Sequence, residues 1–198
     1  KTNIQKDYDA AFICSPPAAH FAQLQALIDM DVPCFVEKPF CLPEDIVPAG
    51  ALLDTAKRQH IQVQVGHNLL WHPYVTWIKR LLQDDELGKL LYYFGRFSHY
   101  LPYWRGDNDS YSRHKDQGGG VLLDCLQDID LALEFLGPWD QNENVASREA
   151  DVTQDSDDIA KVIFRTVAGC FGDLQLDYFR HIKERRIEII GDKATVVW

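Results

Sequence analysis

The chain has 198 residues, 46% of them hydrophobic and 25% charged, and a formal net charge of −10. That length can bury one good core or a domain and a half. The acidity excludes a nucleic-acid partner, whose phosphates need clustered cations, and no apolar run approaches the ~20 residues of a membrane span.

In chain order, Asp9 to Cys14 is a short apolar run stopped by Ser15-Pro16-Pro17, and a helical pattern follows from Ala18 to about Met30. Pro33 to Glu37 is a second apolar run. A helix is predicted from about Glu44 to His60, with Pro48 a point where it kinks or restarts. Ile61 to Val65 alternates like a third strand and ends at Gly66-His67-Asn68. Short strands alternating with helices imply parallel β-α-β units, whose ligands sit at the carboxyl ends of the strands. All three strand exits carry polar or proline-rich residues: Ser15-Pro16-Pro17, Glu37-Lys38-Pro39 and His67-Asn68.

Beyond Trp71-His72-Pro73 an amphipathic helix runs from Tyr74 to about Leu82, and then the pattern changes. Lys89 to Tyr100 reads as a long aromatic strand, and Thr153 to Trp198 as further strands joined by turns at Ala168-Gly169 and Gly191-Asp192. One helix, from about Gly119 to Leu136 and stopped by Gly137-Pro138, is inserted among them. The expected organisation is residues 1–70 as the second half of a dinucleotide-binding domain and 71–198 as an α+β domain. The fold class is α/β plus α+β: an incomplete Rossmann-like parallel half, then an open, mostly antiparallel sheet. Cys14, Cys34, Cys41, Cys125 and Cys170 are odd in number and mostly lie in apolar runs, which suits reduced thiols of a cytoplasmic protein. No His/Cys cluster has zinc spacing, and the polar start at Lys1 is expected to carry no signal peptide.

Two constellations point to chemistry. Lys38 ends an apolar strand just before a proline, which places an ammonium group where a cleft is expected; an ordinary solvated Glu37–Lys38 pair is the alternative. After Gly118-Gly119-Gly120, the side chains of Asp124, Gln127 and Asp128 fall within about 100° of arc on the predicted helix. The glycines there permit close backbone approach and leave amide groups for a polar ligand; a solvated acidic helix face is the bland alternative. His20, His67 and His72 sit near strand exits, where a capping or packing role is the commoner one. Trp104-Arg105 and Tyr111 to Lys115 form a polar, aromatic, basic segment that could hold a sugar or carboxylate, or be an exposed connection.

Together these segments resemble the Gfo/Idh/MocA family of NAD(P)-dependent oxidoreductases over nearly the whole chain, from Asp9 to Trp198. Ala10 to His20 is similar to the family's strand and Ser-Pro turn, Glu37-Lys38-Pro39 to its Glu-Lys-Pro signature, Gly118 to Asp130 to its triple-glycine helix, and Arg186 to Trp198 to its closing strands. The resemblance implies hydride transfer between NAD or NADP and a hydroxyl carbon of a sugar, inositol or related polyol. It assigns Lys38, Asp124 and Gln127 to catalysis, with Lys38 on the reacting hydroxyl and Asp124 holding substrate or orienting the acid/base group. Ser15, Pro16, His20, Glu37, Lys38 and Asn68 would face the cofactor, and Trp104, Arg105, Tyr111 and Asp128 the substrate. Lys38 and Asp124 are expected to share one hollow. Homo-oligomerisation through the open sheet is also implied.

The chain departs from the family pattern in three ways. Gln127 stands where the family usually has its acid/base histidine, and glutamine exchanges no proton near neutrality. That leaves Lys38 acting with Asp124 or water, His114 as a substitute, or loss of activity, the last making a non-catalytic ligand-binding or assembly relative the alternative. An arginine of the family looks replaced around Asp107-Asn108. The G-x-G-x-x-G turn that seats a pyrophosphate is absent from these residues, so the chain reads as a fragment expected to bind cofactor weakly.

Overall fold

The computed structural model describes residues 8–106 and 109–198. The polar start at residues 1–7 and the replaced arginine expected around Asp107-Asn108 lie outside the described residues. The chain forms two compact units, one comprising Lys1–His67 with Asp116–Gly118, the other Asn68–Lys115 with Gly119–Trp198.

In the first unit, the apolar runs β1 (Ala11–Ile13) and β2 (Cys34–Val36) and the alternating Val-Gln-Val of β3 (Val63–Val65) form a parallel sheet in that order. Parallel neighbours need crossovers, and α1 (His20–Ile28) and α2 (Ile46–Arg58) supply them. Leu24, Leu27 and Ile28 of α1 and Ala56 of α2 pack with Ile13, Cys34 and Val36. Pro48 neither kinks nor restarts α2; it lies in the first turn, where its missing N–H leaves no helical bond unmade. Ile13, Val36 and Val65 are register partners, so the residues that follow each of them leave the sheet at one end.

The second unit begins with α3 (Pro73–Gln83), capped by His72, whose Nδ1 accepts from the Tyr74 amide, and continues into β4 (Leu90–Ser98). Then come α4 (Leu101–Arg105), α5 (Val121–Asp124), α6 (Leu126–Leu136), β5 (Trp139–Ser147), β6 (Ile159–Thr166), β7 (Phe171–Asp177), β8 (Glu184–Gly191) and β9 (Thr195–Val197). The six strands run β5-β6-β7-β4-β8-β9, with β4 and β7 parallel and every other pair antiparallel. Strand alternation turns Tyr93, Phe164, Leu174, Ile187 and Ile189 inward, where they pack with Val75 and Ile78 of α3 and Leu131, Ala132 and Phe135 of α6. The other face presents Ile163 and Phe171 to solvent.

The fold class read from the sequence is the one observed: a Rossmann-like parallel part and an open, mostly antiparallel sheet with helices inserted. Two local expectations differ. The helix after the triple glycine is broken at Cys125 (φ −100°, ψ 21°) into α5 and α6. β5 gave no signal, because Asp140-Gln141-Asn142-Glu143-Asn144 is polar on both faces and exposed along almost its whole length.

Candidate active site

In the first unit the rim of strand exits is held by a buried histidine. His20 is fully buried; its Nδ1 lies 2.7 Å from the Pro39 carbonyl and its Nε2 2.9 Å from the Ser15 carbonyl. The ring therefore ties the exit of β1 to the segment after β2, which carries Glu37, Lys38 and a cis Lys38–Pro39 peptide. Ser15 donates its hydroxyl to Gln23 Oε1 at 2.8 Å, and Pro16 is exposed. Lys38 is half-buried, and Glu37 lies against Gly66, where a Cβ would stand 3.2 Å from Glu37 Oε1. His20 thus positions the rim from beneath, while Ser15, Pro16, Glu37 and Lys38 remain at least partly exposed on it.

In the second unit the acidic stripe is not a solvated face. Asp124 and Asp128 are each only 2% exposed, and with Leu131 and Phe135 they form the i, i+4, i+7, i+11 row that turns inward. The Asp124 carboxylate accepts from Arg105 Nη2 at 3.1 and 3.2 Å, Tyr111 Oη at 2.8 Å, Ser112 Oγ at 2.8 Å and Tyr178 Oη at 3.0 Å. Burial disfavours the Arg105 cation, but Asp124 outweighs it and holds the guanidinium more firmly protonated than usual. Burial and then Asp124 push the hydroxyls of Tyr111 and Tyr178 upward, so both remain donors at neutral pH. The Arg105 guanidinium also lies 4.3 Å from the Trp104 ring centroid and 5.5 Å from that of Tyr111. Asp124 is thus a hub that orients Arg105, Tyr111 and Tyr178.

One turn on, Asp128 forms a bidentate pair with Arg185 Nε and Nη2, both at 3.0 Å, and the Arg185 guanidinium lies 4.4 Å from the Phe97 ring centroid. Gln127 Nε2 donates to Asn68 Oδ1 at 2.6 Å, so these two predicted residues do meet. His114 pairs with Asp109.

Four amides at the glycine turn are not left for a ligand. Gly119 N donates to His114 O, Gly120 N to Ser112 O, Val121 N to Asp157 O and Leu122 N to Asp157 Oδ2. Gly120, at φ +112°, is required because a Cβ there would stand 2.3 Å from Asp157 Oδ1. The glycines therefore let the chain's own backbone and the Asp157 cap close in on the helix start. Tyr178, Arg185 and Asp157 were missed from the sequence, and Ser112 was read only as part of the Tyr111 to Lys115 segment. Only Asp157 had a readable signal, as a possible capping acid in an acidic run; the others acquire their partners through tertiary packing.

Residues 2–67 match the model of the oxidoreductase family with an NAD-binding Rossmann fold, and residues 75–197 match that of the GFO/IDH/MocA C-terminal domain. A UDP-N-acetylglucosamine 3-dehydrogenase of Acidithiobacillus ferrooxidans is 32% identical over 74 residues, 37% of this chain and 23% of that protein. A scyllo-inositol 2-dehydrogenase (NAD+) of Bacillus subtilis is 27% identical over 130 residues, 65% of this chain and 35% of that protein. The crystal structure of an inositol dehydrogenase homolog from Azotobacter vinelandii, complexed with NAD+, superposes with a TM-score of 0.87 at 19% identity; it covers 99% of this chain and 53% of that one. The chain thus spans about half the length of its solved structural neighbour and less of its curated relatives. With the C-terminal-domain match covering more than half of its residues, the chain belongs to the Gfo/Idh/MocA family of oxidoreductases.

Proposed function

We propose that the chain carries the substrate-side part of an NAD(P)-dependent oxidoreductase acting on a hydroxyl of a sugar, inositol or sugar derivative. The observation that carries this reading is the position of Glu37-Lys38-Pro39 at the exit of the central strand of a parallel sheet, within the segment matching an NAD-binding Rossmann fold. The exits of β1, β2 and β3 supply polar side chains at one end of that sheet, which fits the nicotinamide half of a dinucleotide; the pyrophosphate turn is not among these residues. Bound nicotinamide would supply the hydride acceptor.

Ser15, Pro16, Glu37, Lys38 and Asn68 would face the cofactor, with His20 holding their rim in place. Lys38 binds the reacting hydroxyl at Nζ and handles the proton that leaves that oxygen as the carbinol carbon gives up its hydride. Asp124, wrapped by four donors, orients Arg105 and Tyr111 toward substrate instead of taking the proton itself. Gln127 and Asn68 donate and accept hydrogen bonds without changing protonation. Cys14, Cys34, Cys41 and Cys170 are free thiols, which supports a cytoplasmic setting, and the exposed Ile163 and Phe171 support association of two copies through the open sheet face.

The test has two parts. NADH and NADPH titrated against this chain should give no saturable fluorescence change at micromolar concentration, and micromolar affinity would overturn the weak-binding reading. At millimolar NAD+ a panel of sugars and inositols should show oxidation that Lys38→Ala abolishes. A second reading, a non-catalytic ligand-binding or assembly relative, is favoured by Gln127; it replaces the first if no panel member is oxidised while sugars still bind.

A further inference from the structure

The groups that surround Asp124 are themselves held by one segment of the second unit, residues 153–158, which lies between β5 and β6. Ser156, 1% exposed, donates its hydroxyl to the Ser112 carbonyl at 2.9 Å, and its own carbonyl accepts from the Thr153 hydroxyl at 2.7 Å. The next carbonyl along, that of Arg113, accepts from the amides of Gln154 at 3.0 Å and Asp155 at 3.2 Å, and the Asp155 carboxylate accepts from Lys115 N at 2.8 Å. The Asp158 carbonyl accepts from Tyr178 N at 2.8 Å, while Asp157 holds Val121 and Leu122 at the start of α5. One stretch of chain therefore grips the Tyr111–Arg113 turn, α5 and the residue that follows β7. Tyr111, Ser112, Asp124 and Tyr178 all project from these three places.

Within that grip Ser156 is the side chain with the shortest route to Asp124. The Ser112 carbonyl takes both Ser156 Oγ and Gly120 N, so its two lone pairs are used, and the peptide after Ser112 cannot rotate without breaking a buried hydrogen bond. On the same residue, itself fully buried, the hydroxyl donates to Asp124 Oδ2 at 2.8 Å. A hydrogen bond to a carboxylate is strong and falls off steeply with distance and angle, so a small shift of the Ser112 backbone is felt at Asp124. Asp124 in turn sets Arg105 and Tyr111, which share its Oδ1 at 3.1 and 2.8 Å. The route runs from Ser156 through Ser112 and Asp124 to Arg105 and Tyr111, and each step is a hydrogen bond with a printed geometry that burial keeps from competing water.

We propose that Ser156 is a positioning residue for the substrate side of this protein. Its hydroxyl is spent on the Ser112 carbonyl, and through Ser112 it keeps Asp124 in the orientation that aims Arg105 and Tyr111 at the sugar. The inference rests on the reading of the Asp124 hub as the part that meets substrate.

The experiment compares the full 198-residue chain with Ser156→Ala, Ser112→Ala and the double variant. The first readout needs no turnover: the Ser112 hydroxyl proton, whose burial slows its exchange with water, is followed by NMR and assigned by its loss in Ser112→Ala. Ser156→Ala should move that resonance and leave in place the amides of Glu149 and Ala150, which the Asp158 carboxylate caps at 2.9 and 2.7 Å in the same part of the chain. The second readout is oxidation of glucose and myo-inositol at millimolar NAD+. Ser156→Ala should raise KM about fivefold, the worth of one net hydrogen bond, with kcat within about twofold of the parent. The double variant should be no worse than Ser112→Ala, because the two serines act on one bond; a merely structural role for Ser156 would make the losses add. An unmoved hydroxyl signal, displacement of the Glu149 and Ala150 amides along with it, an unchanged KM, or additive losses would each overturn the positioning role. If the parent oxidises neither compound, the redox reading fails for them, and the resonances alone decide whether Ser156 positions the hub.

Discussion

The strand-exit rim of the smaller unit and the acidic row of the larger one both keep polar side chains out of bulk water, but by different means. In the smaller unit a buried ring, His20, faces two backbone carbonyls, so the exits are tied together by the chain's own main chain. In the larger unit buried carboxylates are met by arginines and hydroxyls drawn from α4, the Tyr111–Ser112 segment, the end of β7 and the start of β8. Backbone clamps lock local shape. Ion-pair hubs bind distant elements together, and they fail abruptly when one member is lost, because the remaining charge or donor is left buried.

That difference predicts an order of effects. Asp124→Ala strands Arg105, Ser112, Tyr111 and Tyr178 at once and should cost about 4 kcal/mol in urea unfolding of the full chain. Arg185→Met leaves Asp128 buried without its guanidinium and should cost about 3 kcal/mol, with Asp128→Asn added to the variant restoring part of the loss. His20→Leu removes the ring that links the Pro39 and Ser15 carbonyls, and about 2 kcal/mol is expected. If His20→Leu proves as damaging as Asp124→Ala, the contrast between clamp and hub collapses. At the far end of the scale, Lys79→Gln breaks a pair with Glu134 whose side chains are 40% and 34% exposed, and the unfolding free energy should change by no more than about 0.5 kcal/mol.

The legible part of this molecule was the part written in periodicity and punctuation. Apolar runs of three to six residues stopped by Ser15-Pro16 or Gly66 gave the parallel sheet, and the amphipathic run from Tyr74 gave α3. The polar row at Asp124, Gln127 and Asp128 was also visible, but its direction was not. An arc of helix that carries two carboxylates reads as outward-facing until the arginines that neutralise them are known, and Arg105 and Arg185 lie 19 and 57 residues away in sequence. β5 was invisible for a related reason: an edge strand with both faces wet has no apolar alternation to read. The triple glycine was recognised as a point of close approach, but what approaches is Asp157, 37 residues on from Gly120, not a ligand. Long-range electrostatic pairing is what the single sequence withheld.

Asp157 sharpens the comparison further, since it is a half-buried carboxylate of the larger unit held by backbone amides instead of an arginine: it caps α5 through Leu122 N, and burial, the dominant influence, raises its pKa above the ordinary aspartate range even though the Leu122 and Val121 amides pull it down. A carboxyl whose folded pKa is raised binds its proton more tightly in the folded state, so its contribution to stability is fully present below the unfolded value near ~3.9 and is lost as pH rises through the folded value. Asp157→Asn retains an oxygen that can accept from Leu122 and removes the titration. Relative to the parent, the variant should therefore gain stability as pH climbs from about 4 through the window just above it, and the gain should level off once Asp157 is fully ionised. Melting temperatures of both proteins measured across that range decide the matter: parallel curves, or a parent that gains on the variant with rising pH, would mean that the amides at the helix start outweigh burial and that this carboxylate stabilises the fold as an ordinary cap.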